Sequence, residues 1–200
     1  MNSINSCDVW NRFVSGDHSA FRILFKKYYR GLYGYGLKLC FDTHLVEDCI
    51  QNLFVVLWEK RKDLSHVESP NLYLYVSLRR NIIKLKKRRE KERGFTEEEL
   101  ERAEITFNSE ELIIKNESKK ESRQELARAL NQLSNQQKEV IYLHYFHGMS
   151  YGEIEEILSI NRQSVRNHMY RAMQNLRTVL DLDIMRLVIS FMMGFLLFLA

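Results

Sequence analysis

Apolar residues recur along this chain at steps of three and four. Phe21, Leu24, Phe25, Tyr28, Leu32 and Tyr35 form one stripe, and Val46, Ile50, Leu53, Phe54 and Leu57 form a second. After the start signal Ser69-Pro70, the residues Tyr75, Leu78, Ile82 and Leu85 form a third. This spacing puts each set on one side of a helix. Three such faces can bury one another, so the pattern predicts a compact helical domain from Asp17 to about Arg89.

A second helical unit begins near Ser118. Leu126, Ala129, Leu130 and Leu133 mark its first helix, and Val140, Ile141, His144 and Tyr145 its second. Ile154, Ile157 and Leu158 give a third, and Val165, Met169, Ala172, Met173 and Leu176 a fourth. Between the units, EKERGFTEEELERAEITFNSEEL (Glu90 to Leu112) is crowded with glutamate and poor in apolar periodicity. It reads as a solvated, partly helical linker. The expected division is 16–92, an acidic linker over 93–117, 118–180, and an apolar tail over 184–200. The run LVISFMMGFLLFLA (Leu187 to Ala200) is unbroken. Fourteen helical residues reach about 21 Å, short of a hydrocarbon core of about 30 Å, so it is a poor membrane span. A helix over an apolar groove, an interfacial anchor and a partner-binding segment remain for it, in that order.

Composition agrees with an all-α fold. The chain has one proline and eight glycines among 200 residues, fewer turn formers than a sheet-rich fold needs. Its apolar fraction of 45% belongs to a globular chain rather than a disordered one. The net charge of only +4 hides strong segregation, and that segregation carries the functional signal. Cys7, Cys40 and Cys49 are odd in number and lack C-x-x-C spacing, which argues against a disulfide framework. The start MNSINSCDVWNRF lacks a secretory pattern, so a reducing cytoplasm is the expected home.

Gly148 to Leu176 reads as a helix-turn-helix. Ser150 with Glu153 makes a capping box, Ser159-Ile160-Asn161 the turn, and Asn161 the cap of the second helix. Gln163, Arg166, Asn167, Tyr170, Arg171 and Gln174 share the face opposite the apolar stripe, with no acid among them. Arginine pairs bidentately with guanine and Asn or Gln with adenine, while Arg and Tyr reach phosphates. A face of this composition predicts DNA contact. Two positions depart from the usual motif: Glu155 stands where a small residue is common, and Ser159 where glycine is.

The third stripe changes character along LYLYVSLRRNIIKLKKRREK. Asn71, Tyr73 and Tyr75 lie upstream of a basic row of Arg80, Lys84, Lys87, Arg88 and Lys91. Basic residues neutralise phosphates and aromatic rings stack unpaired bases, so this helix points to partly single-stranded nucleic acid. Core packing is the alternative for the tyrosines. On the second stripe, Glu47, Asp48, Gln51 and Asn52 cluster opposite the apolar side, with Phe54 and Trp58 further on, a composition found in protein interfaces.

These segments carry a family resemblance. GDHSAFRILFKKYYRGLYGYGLKLC, VEDCIQNLFVVLWEKR and SPNLYLYVSLRRNIIKLKKRR together resemble region 2 of the sigma-70 family, nearest its extracytoplasmic-function (ECF) group. LNQLSNQQKEVIYLHYFHGMSYGEIEEILSINRQSVRNHMYRAMQNLR is similar to region 4. The two cover most of residues 16 to 178 in order, with no region 3 between them. The resemblance implies an initiation factor whose partners are core RNA polymerase (β′ clamp helices and β flap), promoter DNA and an anti-sigma factor. It places Glu47, Asp48, Gln51, Asn52 and Trp58 against the polymerase. It assigns Asn71, Tyr73, Tyr75, Arg79, Arg80, Asn81, Lys84, Lys87 and Arg88 to the −10 element. Arg162, Gln163, Ser164, Arg166, Asn167, Tyr170 and Arg171 fall to the −35 element as duplex. The aromatic stretch runs L-Y-L-Y rather than the family's frequent W-L-Y, leaving the stacking ring open.

Catalysis finds no support. His144 and His147 have no Cys, Asp or third His nearby to complete a metal set, and no phosphate loop or nucleophile motif appears, so no cofactor is expected. The main rival is a polymerase-independent helix-turn-helix regulator with an N-terminal sensing domain. A membrane-associated adaptor, anchored through 187–200, is a second.

Overall fold

The computed structural model describes residues 6–65, 67–92, 105–110, 112 and 120–180. Among these the secondary structure is all helical, in two separate units. The apolar run 187–200 and most of the glutamate-rich stretch lie outside the described residues, and so does any membrane contact assigned to them. No described helix is long and apolar enough to cross a membrane.

The first unit contains α1 (Ser6–Val14), α2 (His18–Leu39), α3 (Thr43–Glu59), a 3-10 turn (Arg61–Leu64) and α4 (Pro70–Glu92). Helix α2 is its centre and packs against α1, α3 and α4. The expected stripes supply the core: Leu24, Tyr28, Leu32 and Tyr35 from α2, Val46, Ile50, Leu53, Phe54 and Leu57 from α3, and Leu78 and Ile82 from α4 are buried. Helix α1 was not expected. Its Val9, Trp10 and Phe13 are buried, and the Trp10 indole donates to the Leu64 carbonyl at 3.3 Å, tying α1 to the 3-10 turn.

Two aspartates start α2 and α3, and each also holds an arginine. Asp17 Oδ1 accepts the Ser19 and Ala20 amides at 2.7 and 3.3 Å, while Oδ2 takes Arg12 at 2.6 Å. Asp42 Oδ1 accepts the Leu45 amide at 3.0 Å, while Oδ2 takes Arg89 of α4 at 2.6 Å. Capping satisfies amides that have no partner within the helix. The second bond of Asp42 ties the start of α3 to the far end of α4.

Gly36 sets how closely these helices approach. A Cβ there would lie 2.6 Å from Val46 Cγ1 and 3.2 Å from Ile82 Cδ1. The missing methyl is what lets α3 and α4 close on α2 at one point.

The second unit contains α5 (Lys120–Asn131), α6 (Asn135–Ile141), a π turn (Tyr142–Phe146), α7 (Tyr151–Leu158) and α8 (Arg162–Val179). Helix α8 packs on α5, α6 and α7. Capping boxes start α6 (Ser134 with Gln137) and α7 (Ser150 with Glu153). Part of the stretch expected to be a solvated linker is instead packed: Ile105, Phe107 and Leu112 are buried. Their apolar side chains follow no helical period, so the sequence pattern did not show them as core.

Candidate nucleic-acid interface

Helices α7 and α8 form the helix-turn-helix. Ser150 N–H donates to Glu153 Oε2 at 2.9 Å, and Ser150 Oγ accepts the Glu153 amide at 3.2 Å, the expected reciprocal cap. Ser159 closes α7 at φ 55°, ψ 41°, in the left-handed region where glycine is common. Asn161 Oδ1 then accepts the Ser164 amide at 2.8 Å and starts α8.

The inner stripe of α8, Val165, Met169, Ala172 and Leu176, is buried. Arg162, Gln163, Arg166, Asn167, Arg171 and Gln174 are exposed, and Tyr170 is 65% exposed. Ser164 is half-buried beside its cap. Gln163 Nε2 donates to Asn167 Oδ1 at 3.1 Å, so two of the amide groups are ordered against each other one turn apart. His168 is half-buried, and desolvation, then the Arg171 charge, holds its imidazole below its ordinary value. Helix α8 contains no Asp or Glu, so no carboxylate on the helix itself offsets its arginines.

Helix α4 starts at Pro70, with Ser69 Oγ accepting the Leu72 amide at 3.3 Å. Arg80, Asn81, Lys84, Lys87 and Arg88 are exposed along it, while Asn71, Tyr73 and Arg79 are half-buried. The side chain of Lys91 lies outside the described residues. Tyr75 is corrected: it is 3% exposed and stacks on Tyr35 of α2, with ring centres 5.4 Å apart. Residues two apart on a helix do not share a face. Tyr75 belongs with Leu78 and Ile82, and Tyr73 does not.

On α3, Asp48, Gln51 and Asn52 are exposed and Glu47 is half-buried. The structure adds Val55 and Val56, 53% and 41% exposed, which continue the same strip at helical spacing. Their position outside the apolar stripe was the signal for them. Trp58 is half-buried against neighbours of its own unit: His18 at 4.3 Å, Phe21 at 5.2 Å, and the Arg61 guanidinium 4.4 Å over its ring. Burial, then the Glu47 charge, pushes the Tyr29 phenol up.

His144 Nδ1 bonds the Met149 carbonyl oxygen at 2.7 Å, and burial lowers His147 to about 4. Among the described residues no three His, Cys, Asp or Glu side chains gather as metal ligands. Cys40 and Cys49 are free and buried, and desolvation raises both thiols, Cys49 to about 11.

The family model for sigma-70 region 2 matches residues 24–92, and that for sigma-70 region 4 matches 123–176. The ECF RNA polymerase sigma factor SigK of Mycobacterium ulcerans (strain Agy99) is 22% identical over 171 residues, covering 85% of this chain and 90% of that one. Two solved structures share the fold. CnrH, in complex with the cytosolic domain of CnrY, gives a TM-score of 0.58 at 22% identity, covering 89% of this chain and 98% of that one. RpoE of Bartonella quintana, in complex with the anti-sigma factor NepR, gives 0.57 at 20% identity, covering 82% and 98%.

Proposed function

The chain belongs to the sigma-70 family, in its ECF group, and on that footing we propose how its two units divide the work of a sigma factor. The first unit docks on core polymerase through the α3 strip of Glu47, Asp48, Gln51, Asn52, Val55 and Val56. Trp58 stiffens that strip from behind. Helix α4 holds the −10 element open, with Tyr73 as the stacking ring and Arg80, Lys84, Lys87 and Arg88 on the phosphates. Asn71, Arg79 and Asn81 flank the ring. Helix α8 enters the major groove of the −35 element, where Arg166, Asn167 and Gln163 read base edges and Arg162, Tyr170 and Arg171 hold the backbone. Ser164 sits at the helix start, where backbone amides meet phosphate.

The observation that carries this reading is the outer face of α8: exposed, free of acid and opposite a buried stripe. The reading further holds that the protein works by binding rather than catalysis, in the cytoplasm, over functional segments 16–92 and 118–180. It is held in check by an anti-sigma factor, as NepR partners RpoE. A purified mixture of core polymerase, this protein and genomic fragments tests it. Promoter-specific transcripts are expected only with both components present. Operator footprints by the protein alone, with no transcripts, would overturn the division of labour.

A further inference from the structure

Helix α2 carries a row of basic residues that neither α4 nor α8 accounts for. Arg22, Lys26 and Arg30 recur at every fourth position, and all three are exposed on the side away from the buried Leu24, Tyr28 and Leu32. The 22 residues of α2 include no Asp or Glu, and among the described residues none of the three is ion-paired. Like charges four apart on a helix repel each other and cost it stability. A face that met only water would gain from an acid between them, and none is there.

The row is also held in place. Each of its members follows an aromatic residue, and those rings lock α2 onto α3. Phe21 and Phe25 pack edge-on against Phe54, with ring centres 5.9 and 4.9 Å apart, and Tyr29 packs on Phe25 at 5.1 Å. These contacts fix the rotation of α2 about its own axis. The three cations therefore stand in line at steps of about 6 Å, the rise of four helical residues. Successive phosphates along one nucleic-acid strand have a similar separation. Lys27 stands apart from the row, its ammonium 5.3 Å from the centre of the Tyr28 ring.

We propose that Arg22, Lys26 and Arg30 bind successive phosphates of the DNA strand that α4 separates, a third contact beyond those of α4 and α8. This rests on the division of labour above, in which α4 holds the −10 element open; α4 packs on α2 within the same unit. A strand leaving α4 meets a fixed line of cations with no carboxylate on α2 to repel it. Each phosphate neutralised releases bound counterions, so the contact shows in the salt dependence of binding.

The test uses holoenzyme assembled from core polymerase and the full-length protein. One variant replaces Arg22, Lys26 and Arg30 together by Ala. A second keeps the charge through Arg22→Lys, Lys26→Arg and Arg30→Lys. Affinity is measured against salt on a promoter with a mismatched, pre-melted −10 region, and on the same promoter fully paired and kept closed by cold. On the pre-melted promoter, the alanine variant is expected to lower the slope of log K against log salt by about 2, at about 0.7 for each single-strand phosphate. The charge-keeping variant should retain the slope, and neither should change it on the closed duplex. With the repulsion removed, the alanine variant should melt no lower than the unaltered protein. An unchanged slope on the pre-melted promoter, an equal fall on the closed duplex, or a loss confined to assembly with core polymerase would overturn the proposal. So would a fall shared by the charge-keeping variant. If the unaltered holoenzyme binds promoter and unrelated pre-melted DNA alike while the α2 slope persists, the −10 and −35 assignments fail and the α2 contact stands.

Discussion

Tyr73 and Tyr75 lie on one helix, two positions apart, and have different fates. Tyr75 is packed on Tyr35, whereas Tyr73 is half-buried at the side of α4. Tyr75→Ala is expected to destabilise the first unit by about 3–5 kcal/mol, the usual cost of truncating a core aromatic, read by denaturant melts. Tyr73→Ala should leave the melt nearly unchanged and slow promoter opening, read by permanganate footprinting. If Tyr73→Ala alters the melt and not the opening, it is not the stacking ring. Arg166 is exposed on the acid-free face of α8. Losing a bidentate contact costs about 1–3 kcal/mol for the cognate base and less for others. Arg166→Ala should therefore flatten the difference between −35 variants, and transcription from a −35 library checks this. An equal loss across the library contradicts a base-reading role.

At the scale of elements, Gly36 reverses the usual rule for helices. Alanine is ordinarily better than glycine by about 1 kcal/mol in a helix interior. Here its methyl would meet Val46 at 2.6 Å, and overpacking of a core costs about 1–3 kcal/mol. Gly36→Ala is expected to lower the melting temperature of the first unit; an increase would mean that α3 yields freely. The link between α3 and α4 depends on pH. The Leu45 amide first, then Arg89, holds the Asp42 carboxyl below its ordinary value, so the folded pKa lies under the unfolded one. The resulting stability is present above about pH 4, near the unfolded value, and is lost as pH falls through the folded one. Melting temperature should hold near neutrality and drop in acid, with a smaller drop in Asp42→Asn. The stripes of α2 to α4, the Ser150 capping box and the Asn161 cap were legible in the sequence, because each is written within a few residues. Helix α1 is too short to show a repeating stripe. Phe107 escaped because its partners Asn131 and Tyr142 lie far along the chain, and no local period marks such a contact. Val55 and Val56 were visible but unread, since exposed valine carries meaning only once the buried side is known.

For the whole molecule, a net charge of +4 understates the field that DNA meets. Basic residues are densest on α4, and α8 carries four arginines with no Asp or Glu beside them, while glutamates crowd the stretch between the units. Holoenzyme affinity for promoter DNA should fall steeply with salt, and Lys87→Ala should lower the slope of log K against log salt by about 1. A salt titration of the two proteins decides it, and an unchanged slope removes Lys87 from the phosphate contacts. The notch at Gly36 also bears on how such a protein changes over generations. Helix α3 carries the strip assigned to polymerase and α4 the one assigned to DNA, and both lean on the same missing methyl. A lineage altering the tilt of either helix must keep the other in step. Strains carrying Gly36→Ala and selected for recovery should therefore acquire Val46→Ala or Ile82→Val, inherited as a pair with the first change.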